Sequence, residues 1–238
     1  MFTRCAAAAR DAGLAFGGFG MFTWRSLRTC VRTPPKLRHV LVQMDRIGVD
    51  SLTIVNVCAI FIGIVMTLQT ALELVRFGAH LYISRIVGLA FLRELGPVFT
   101  ALMISGRVGS GIAAELGSMQ VTEQVDALRA MGADPFKHLV APRLIATAVM
   151  VPVLTLLADL LGIAAGMVTA YVALGIGPAQ YMAGCLESMV ALDIASGLAK
   201  SVLFGGLIGL IATYIGLSTE RATEAVGRST TKAMVACA

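Results

Sequence analysis

Four long apolar runs restrict what this 238-residue chain can fold into. They cover residues 51–75, 86–106, 144–174 and 194–218. As a helix, each run is long enough to cross the ~30 Å hydrocarbon core of a bilayer, which takes about 20 apolar residues. Hydrophobic residues make up 57% of the chain and charged residues 14%. The sequence therefore predicts an all-α integral membrane protein that forms a single membrane domain, residues 1–238.

The end of the chain begins a further apolar segment, residues 229–238. Ten helical residues reach only about 15 Å, half of the hydrocarbon thickness. We therefore predict about five transmembrane helices, the fifth of which is incomplete in this chain.

Lysine and arginine are distributed unevenly between the two sides of the predicted spans. Residues 1–50, 107–143 and 218–232 together hold fifteen of them. The loops on the other side hold two, Arg76 and Arg85. Because cytoplasmic loops are enriched in lysine and arginine, the amino terminus is predicted to be cytoplasmic.

Residues 1–50 contain no run long enough to span a membrane. The stretch LAFGGFGMFTWRSLRTCVR instead mixes aromatic residues with arginines, as helices that lie in the membrane interface do. This pattern predicts an N-terminal interfacial helix. A cleavable targeting peptide or an organellar transit peptide is the alternative, because the segment carries arginines and few acidic residues.

The segment EQVDALRAMGADP, residues 123–135, has the pattern of an amphipathic helix between the second and third spans. Its apolar stripe holds Val121, Val125 and Leu128, and its polar face holds Thr122, Glu123, Asp126 and Arg129. Ser118 is a plausible N-cap, and Gly132 with Pro135 is a stop signal. Such a helix is too short to cross the membrane. It either docks on a soluble partner or lies as a connector among the lipid headgroups.

Charged residues inside the predicted spans need partners. A charge at the centre of a membrane costs at least about 2.5 to 3.5 kcal/mol on insertion scales. Arg93 and Glu94 are neighbours in sequence and project about 100° apart on a helix, so each needs its own partner or water. Asp159 and Lys200, each alone in its span, could neutralise each other. Arg93 and Glu94 are the main functional candidates, and structural bridging between helices is the alternative.

The glycines of the sequence suit helix packing and not catalysis. Two GxxxG spacings, Gly162 with Gly166 and Gly205 with Gly209, allow close helix contact.

The sequence lacks the common catalytic motifs. No G-x-x-x-x-G-K-[ST] phosphate loop and no HExxH zinc motif occur, and Val108 breaks a G-x-S-x-G around Ser110. The cysteines form no metal-binding pattern. The chain is therefore predicted not to be an enzyme.

Residues 92–146 carry "LRELGPV", "GRVGSG", "AELGSMQVTEQ" and "DP" in order. This block closely resembles the core of the MlaE/YrbE family, the permeases of ABC transporters that move lipids with Mce-domain proteins. The resemblance extends more loosely to "FIGIVMTLQ" at 61–69 and "VGRSTTKAMV" at 226–235. Permeases of this family usually end with a complete fifth transmembrane helix, and this chain stops earlier.

The resemblance implies a function and a set of partners. The chain would be one copy of a homodimeric permease that moves phospholipids or related lipids between the inner and outer membranes and maintains outer-membrane lipid asymmetry. Its partners would be separate ATPase subunits, which bind ATP and Mg, and a periplasmic Mce-domain protein. The subunit itself would bind no cofactor and no nucleic acid. Its expected location is the bacterial inner membrane, or alternatively an organellar inner envelope membrane.

The resemblance also implies roles for particular residues. Residues 119–132 would be the coupling helix that inserts into the ATPase, with polar contacts and an apolar contact surface supplied by Glu123, Asp126, Arg129, Val125, Leu128 and Met131. Arg93 and Glu94 would lie at a lipid cavity between two permease copies, near the outer side. The apolar wall of that cavity would be supplied by Met66, Leu74 and Phe77.

A stand-alone channel or secondary transporter that uses the intramembrane charges is a second class of function. Such a protein would not need the amphipathic helix between the second and third spans. Co-purification with an ATPase separates this class from an ABC permease.

Overall fold

The fold is that of a computed structural model that describes residues 2–32, 35–79, 82–219 and 222–238, with the backbone alone for 2–16 and 223. Within these residues, ten α-helices follow one another: α1 Phe2–Arg32, α2 Leu37–Arg76, α3 Ile83–Ala90, α4 Gly96–Ile104, α5 Ser110–Val121, α6 Gln124–Ala130, α7 Ala141–Leu174, α8 Pro178–Ser188, α9 Ala191–Leu217 and α10 Thr223–Cys237. Among the described residues, the π-helical segments Phe91–Leu95 and Ser105–Gly109 join α3, α4 and α5 into one longer helix, and the π-helical segment Phe136–Val140 extends α7 at its start.

Within the described residues, four helical units are long and apolar enough to cross a membrane: Leu37–Arg76, Ile83–Val121, Phe136–Leu174 and Ala191–Leu217. They confirm the four predicted spans and a multi-pass membrane protein. The helices extend past the apolar runs, because helical hydrogen bonding does not stop where the hydrocarbon ends. Residues 37–50, expected to belong to the interfacial segment, are thus the first turns of α2.

Successive spans run in opposite directions, so the bundle has two ends. Residues 77–79 and 82, the end of α7, α8 and the start of α9 lie at one end, which we name the α8 end. The start of α2, α6, the start of α7 and the end of α9 lie at the other, the α6 end. Helix α8 was not predicted. It packs on α3, where the Cys185 thiol lies 3.1 Å from the Ser84 carbonyl oxygen.

Helix α1 packs at the α6 end through aromatic residues. The ring of Phe19 lies 5.4 Å from that of Tyr214, and the ring of Phe22 lies 5.2 Å from that of Phe136. Other apolar side chains of this helix are exposed, among them Met21, Trp24 and Val31. That this helix lies in the membrane interface stays a prediction.

Glycines bring α7 close to its two main neighbours. A Cβ on Gly63 of α2 would collide with the Gly162 carbonyl, and one on Gly205 of α9 would lie 2.5 Å from the Thr147 carbonyl oxygen. Gly166 and Gly209 are equally crowded by threonine side chains. Both GxxxG spacings therefore lie in helix contacts, as predicted.

Helix α10 begins at Thr223, six residues before the predicted start of the fifth span. It packs against α5 and α9, and Ala233 is fully buried in this contact. Its 15 residues extend about 22 Å. That α10 begins a fifth transmembrane helix stays a prediction.

Candidate functional site

Four charged side chains from two spans meet near the α8 end, and we name them the charged quartet: Arg93, Glu94, Asp193 and Lys200. The Arg93 Nε lies 3.6 Å from the Asp193 Oδ1. The Lys200 Nζ lies 2.6 Å from the Glu94 Oε1. Arg93 and Glu94 thus each have a separate partner, as their angular separation on the helix predicts.

The π-helical segment Phe91–Leu95 and the proline that follows it shape the backbone of this site. Pro97 has no N–H, so it cannot donate to the Arg93 carbonyl four residues earlier, as an α-helix would require. The Lys200 Nζ instead donates to this carbonyl at 2.9 Å. Lys200 therefore binds both a side chain and a backbone group of the opposite helix.

The quartet faces the outside of the protomer. The side chains of Arg93 and Glu94 are 57% and 63% exposed, although both lie in a membrane-spanning helix. Charged groups at such a position face a water-filled cavity or another protein. The arrangement can hold a polar or charged group of a ligand beside an apolar surface.

Asp159 and Lys200 do not form the pair that we considered from the sequence, because Lys200 binds Glu94. Asp159 lies against Gly96, where a Cβ would collide with the carboxylate. Its Oδ1 is buried and has no hydrogen-bond partner among the described residues. Asp193 was missed, because it lies at the start of α9 outside the apolar run.

The three residues expected to form an apolar wall lie in two different environments. Met66 and Leu74 are half-buried and pack in the same cluster as Phe91 and Leu95, which are the first and last residues of the π-helical segment. Phe77 is exposed and follows the last residue of α2 at the α8 end.

Helix α6 is shorter than the predicted helix 119–132. Helix α5 continues through Ser118 to Val121, so Ser118 is not an N-cap. The chain turns at Glu123, whose φ of 58° is in the left-handed region. Such a φ is uncommon outside glycine, which is why the sequence did not indicate this break. Gly132, with φ 73°, ends the helix as predicted.

The two faces of α6 differ in exposure. Val125 is fully buried, and Leu128 is half-buried and packs against the core of the spans. Met131 is 74% exposed, and Arg129 donates to the Asp126 carboxylate at 2.9 Å on the outer surface. The apolar stripe thus attaches α6 to its own bundle, and the outer surface is open to a partner.

A second charged cluster, not predicted from the sequence, lies at the α6 end. The Glu115 carboxylate binds Arg143 at 2.9 Å and Arg46 at 3.5 Å. Arg143 is only 4% exposed and also donates to the Leu139 carbonyl at 2.8 Å. These residues come from α2, α5 and α7, so this cluster joins three helices beside α6.

A family model described as "Permease MlaE" matches residues 40–238 of this chain. The chain is 37% identical over 219 residues to a probable ABC transporter permease protein of Rickettsia conorii, a match that covers 92% of this chain and 85% of that protein.

Two further relatives have more specific names. The chain is 36% identical over 194 residues to the intermembrane phospholipid transport system permease protein MlaE of Haemophilus influenzae, covering 81% of this chain and 74% of that protein. It is 39% identical over 198 residues to Protein TRIGALACTOSYLDIACYLGLYCEROL 1, chloroplastic, of Arabidopsis thaliana, covering 83% and 57%.

Proposed function

The chain belongs to the MlaE family of ABC transporter permeases, and from this premise we propose that it moves phospholipids between the inner and outer membranes. In this proposal an Mce-domain protein receives or supplies the lipid in the periplasm, and transport maintains outer-membrane lipid asymmetry. The printed name of the Haemophilus relative, an intermembrane phospholipid transport permease, supports the substrate. The observation that carries the proposal is the exposed charged quartet within the spans.

In the proposed transporter, two copies of the chain form the permease and enclose a lipid cavity. The quartet would bind the polar headgroup, because Arg93 and Lys200 offer donors and Glu94 and Asp193 offer acceptors. Met66, Leu74 and Phe77 would line the path of the acyl chains. Covering the quartet with a second copy would also remove its charges from contact with lipid tails.

Helix α6 is the proposed coupling element. Its outer surface, with Glu123, Asp126, Arg129 and Met131, would contact a separate ATPase subunit that binds ATP and Mg. Val125 and Leu128 would transmit the movement, since they are packed into the spans. Closure of the ATPase would then shift α5 and α7 and reshape the cavity.

The proposed location is the bacterial inner membrane, with the α6 end and the amino terminus in the cytoplasm. The excess of lysine and arginine at the α6 end supports this orientation. An organellar inner envelope membrane is the alternative location, and the chloroplastic name of the Arabidopsis relative is consistent with it.

The test has two parts. Purification from native membranes should recover an ATPase subunit and bound phospholipid, identified by mass spectrometry. Recovery of the chain alone, with no ATPase, would instead favour a stand-alone channel or secondary transporter.

The second part replaces both Arg93 and Glu94 by alanine in the reconstituted complex and measures transfer of labelled phospholipid. Assembly should persist while lipid transfer falls. The matched control replaces Arg85 and Glu187 by alanine. These two residues form an ion pair at the same end but outside the quartet, with 2.5 Å between the Arg85 Nη2 and the Glu187 Oε2. Equal transfer by the Arg93/Glu94 variant and the control would contradict the proposed cavity.

A further inference from the structure

A pocket of about 250 Å³ with charged side chains in its lining lies at the α6 end, separate from the charged quartet. It is enclosed by α2, the π-helical segment Ser105–Gly109 and α5. Its polar lining comes from Gln43, Arg46, Arg107 and Glu115. We name it the α6-end pocket.

The helix lengths place this pocket at the level of lipid headgroups. Arg107 lies 24 residues beyond Ile83, the start of its helix, which is about 36 Å at 1.5 Å per residue. Arg46 lies 30 residues before Arg76, the end of α2, about 45 Å away. Both distances exceed the ~30 Å hydrocarbon core, so both arginines lie at the membrane surface of the α6 end.

The arginines of the pocket retain donors for a ligand. The contact of Arg46 with Glu115 is 3.5 Å long, and that of Arg107 with Asp50 is 4.0 Å long. Arg107 also contacts the Ser51 hydroxyl at 3.3 Å. Both arginine side chains are exposed despite these contacts. A guanidinium has five N–H donors, so neither arginine is saturated.

The charges around the pocket leave an excess of one positive charge. Arg46, Arg107 and Arg143 are positive, while Asp50 and Glu115 are negative. Buried Arg143 binds Glu115 at the shortest of these distances, 2.9 Å. Arg143 thereby offsets the carboxylate that would otherwise repel an anion.

Gly111 lines the pocket and leaves space in it. A Cβ added to Gly111 would meet no atom within 4 Å. The glycine therefore keeps the pocket open without being required by helix packing. It also allows the pocket to be filled by substitution without a collision.

We propose that the α6-end pocket binds the phosphate of a glycerophospholipid from the adjacent leaflet, with Arg46 and Arg107 as its donors. Arginine forms paired hydrogen bonds with phosphate oxygens, and the position at the membrane surface lets the acyl chains remain in the bilayer. The proposal rests on the proposed function, because it takes phospholipid as the ligand. It adds a site on the opposite end of the bundle from the quartet.

The test measures lipid retained by the purified full-length complex, using native mass spectrometry without ATP. The probes are phosphatidylglycerol and a diacylglycerol with the same acyl chains, each added to delipidated complex in dodecyl maltoside micelles, which contain no phosphate. Phosphatidylglycerol should be retained and diacylglycerol should not. The variant Arg46→Gln/Arg107→Gln should weaken retention at least about tenfold, since it removes charge-assisted hydrogen bonds. Arg46→Lys/Arg107→Lys keeps both charges but not the paired hydrogen bonds, so its retention should lie between those of the wild type and the glutamine variant.

Two further measurements test whether lipid retention depends on the pocket itself. The first compares two glycine substitutions, and the second adds free phosphate as a competitor. Gly111→Leu should displace the lipid, whereas Gly206→Leu should not, although a Cβ at either glycine meets nothing within 4 Å. Inorganic phosphate in excess should not displace phosphatidylglycerol. Displacement by phosphate alone, or unchanged retention in the double glutamine variant, would overturn the proposal.

Lipid transfer measured on the same variants distinguishes this proposal from the proposed function. Transfer that is absent in the wild-type complex, with phosphatidylglycerol still retained at the pocket, would count against the proposed function alone. Active transfer with retention that does not depend on Arg46 and Arg107 would count against the pocket alone.

Discussion

The two charged clusters of this protein lie at opposite ends of the bundle and differ in burial. The quartet at the α8 end holds Arg93 and Glu94 on the outer surface of the protomer. The cluster at the α6 end is built around Arg143, which is buried where α2, α5 and α7 meet. Both clusters use ion pairs between helices.

The difference in burial indicates two different roles for the charged residues. A buried arginine with a carboxylate and a carbonyl partner holds helices together, and its loss leaves groups unsatisfied. Exposed ion pairs contribute little to stability in water, yet within a membrane span they require a polar environment. We therefore expect variants of the quartet to affect transport first, and variants of Arg143 to affect stability first.

The largest effect is expected from reversing a charge in the quartet. Lys200→Glu would place a second carboxylate beside Glu94, where 2.6 Å now separates Nζ from Oε1. Two carboxylates at this distance would repel each other, so lipid transfer should fall by more than about tenfold. The swap Glu94→Lys/Lys200→Glu should recover part of the activity. Equal transfer by the single variant and the swap would show that their pairing is irrelevant.

Stability is the expected readout at the α6 end. Arg143→Gln should lower the free energy of unfolding by about 2 kcal/mol, because Glu115 and the Leu139 carbonyl lose a charged donor. Arg46→Gln, which affects the same carboxylate from an exposed position, should cost about 0.5 kcal/mol or less. Denaturation of the purified protein in detergent measures both. Similar losses for the two variants would remove the distinction between the clusters.

Variants of the exposed α6 surface test whether this surface, which lies next to the buried cluster, binds the ATPase. Met131→Asp/Arg129→Glu should weaken ATPase binding about tenfold, which corresponds to about 1.4 kcal/mol, while thermal stability stays nearly unchanged. Arg85→Glu at the opposite end is the control for a charge reversal. Titration of the ATPase subunit onto the solubilised permease measures the affinity. Undiminished binding would place the docking surface elsewhere.

The smallest effect is expected at Asp159, a buried acid that belongs to neither cluster. Its Oδ1 has no hydrogen-bond partner among the described residues, so no hydrogen bond to this oxygen offsets its desolvation. Asp159→Asn should change the free energy of unfolding by less than about 1 kcal/mol and should not destabilise the protein. A large loss in the same denaturation assay would reveal a partner that the protomer alone does not supply.

Local sequence patterns were sufficient for the spans but not for their boundaries. An apolar run long enough for a bilayer must form a helix, and all four runs do. The run does not indicate where a helix ends, as residues 37–50 of α2 illustrate. The break at Glu123 was equally invisible, since no glycine or proline marks it.

Only two of the four residues of the charged quartet could be predicted as site residues from the sequence. The chain itself indicates that Arg93 and Glu94 need partners, because charges in a membrane span are costly wherever the span packs. Which residues serve as partners depends on how the helices are rotated and which of them are neighbours. Asp193 and Lys200 lie about a hundred positions away in sequence.

The sequence by itself therefore determined the spans, their orientation signal and the amphipathic character of α6, because these properties follow from hydrophobicity and periodicity along one segment. The tertiary structure alone decided that Lys200 binds Glu94 and not Asp159, that Val125 is buried in its own bundle, and that Arg143 joins three helices. Ion pairing and burial depend on distances between segments, and a helix pattern carries no information about the neighbour it packs against.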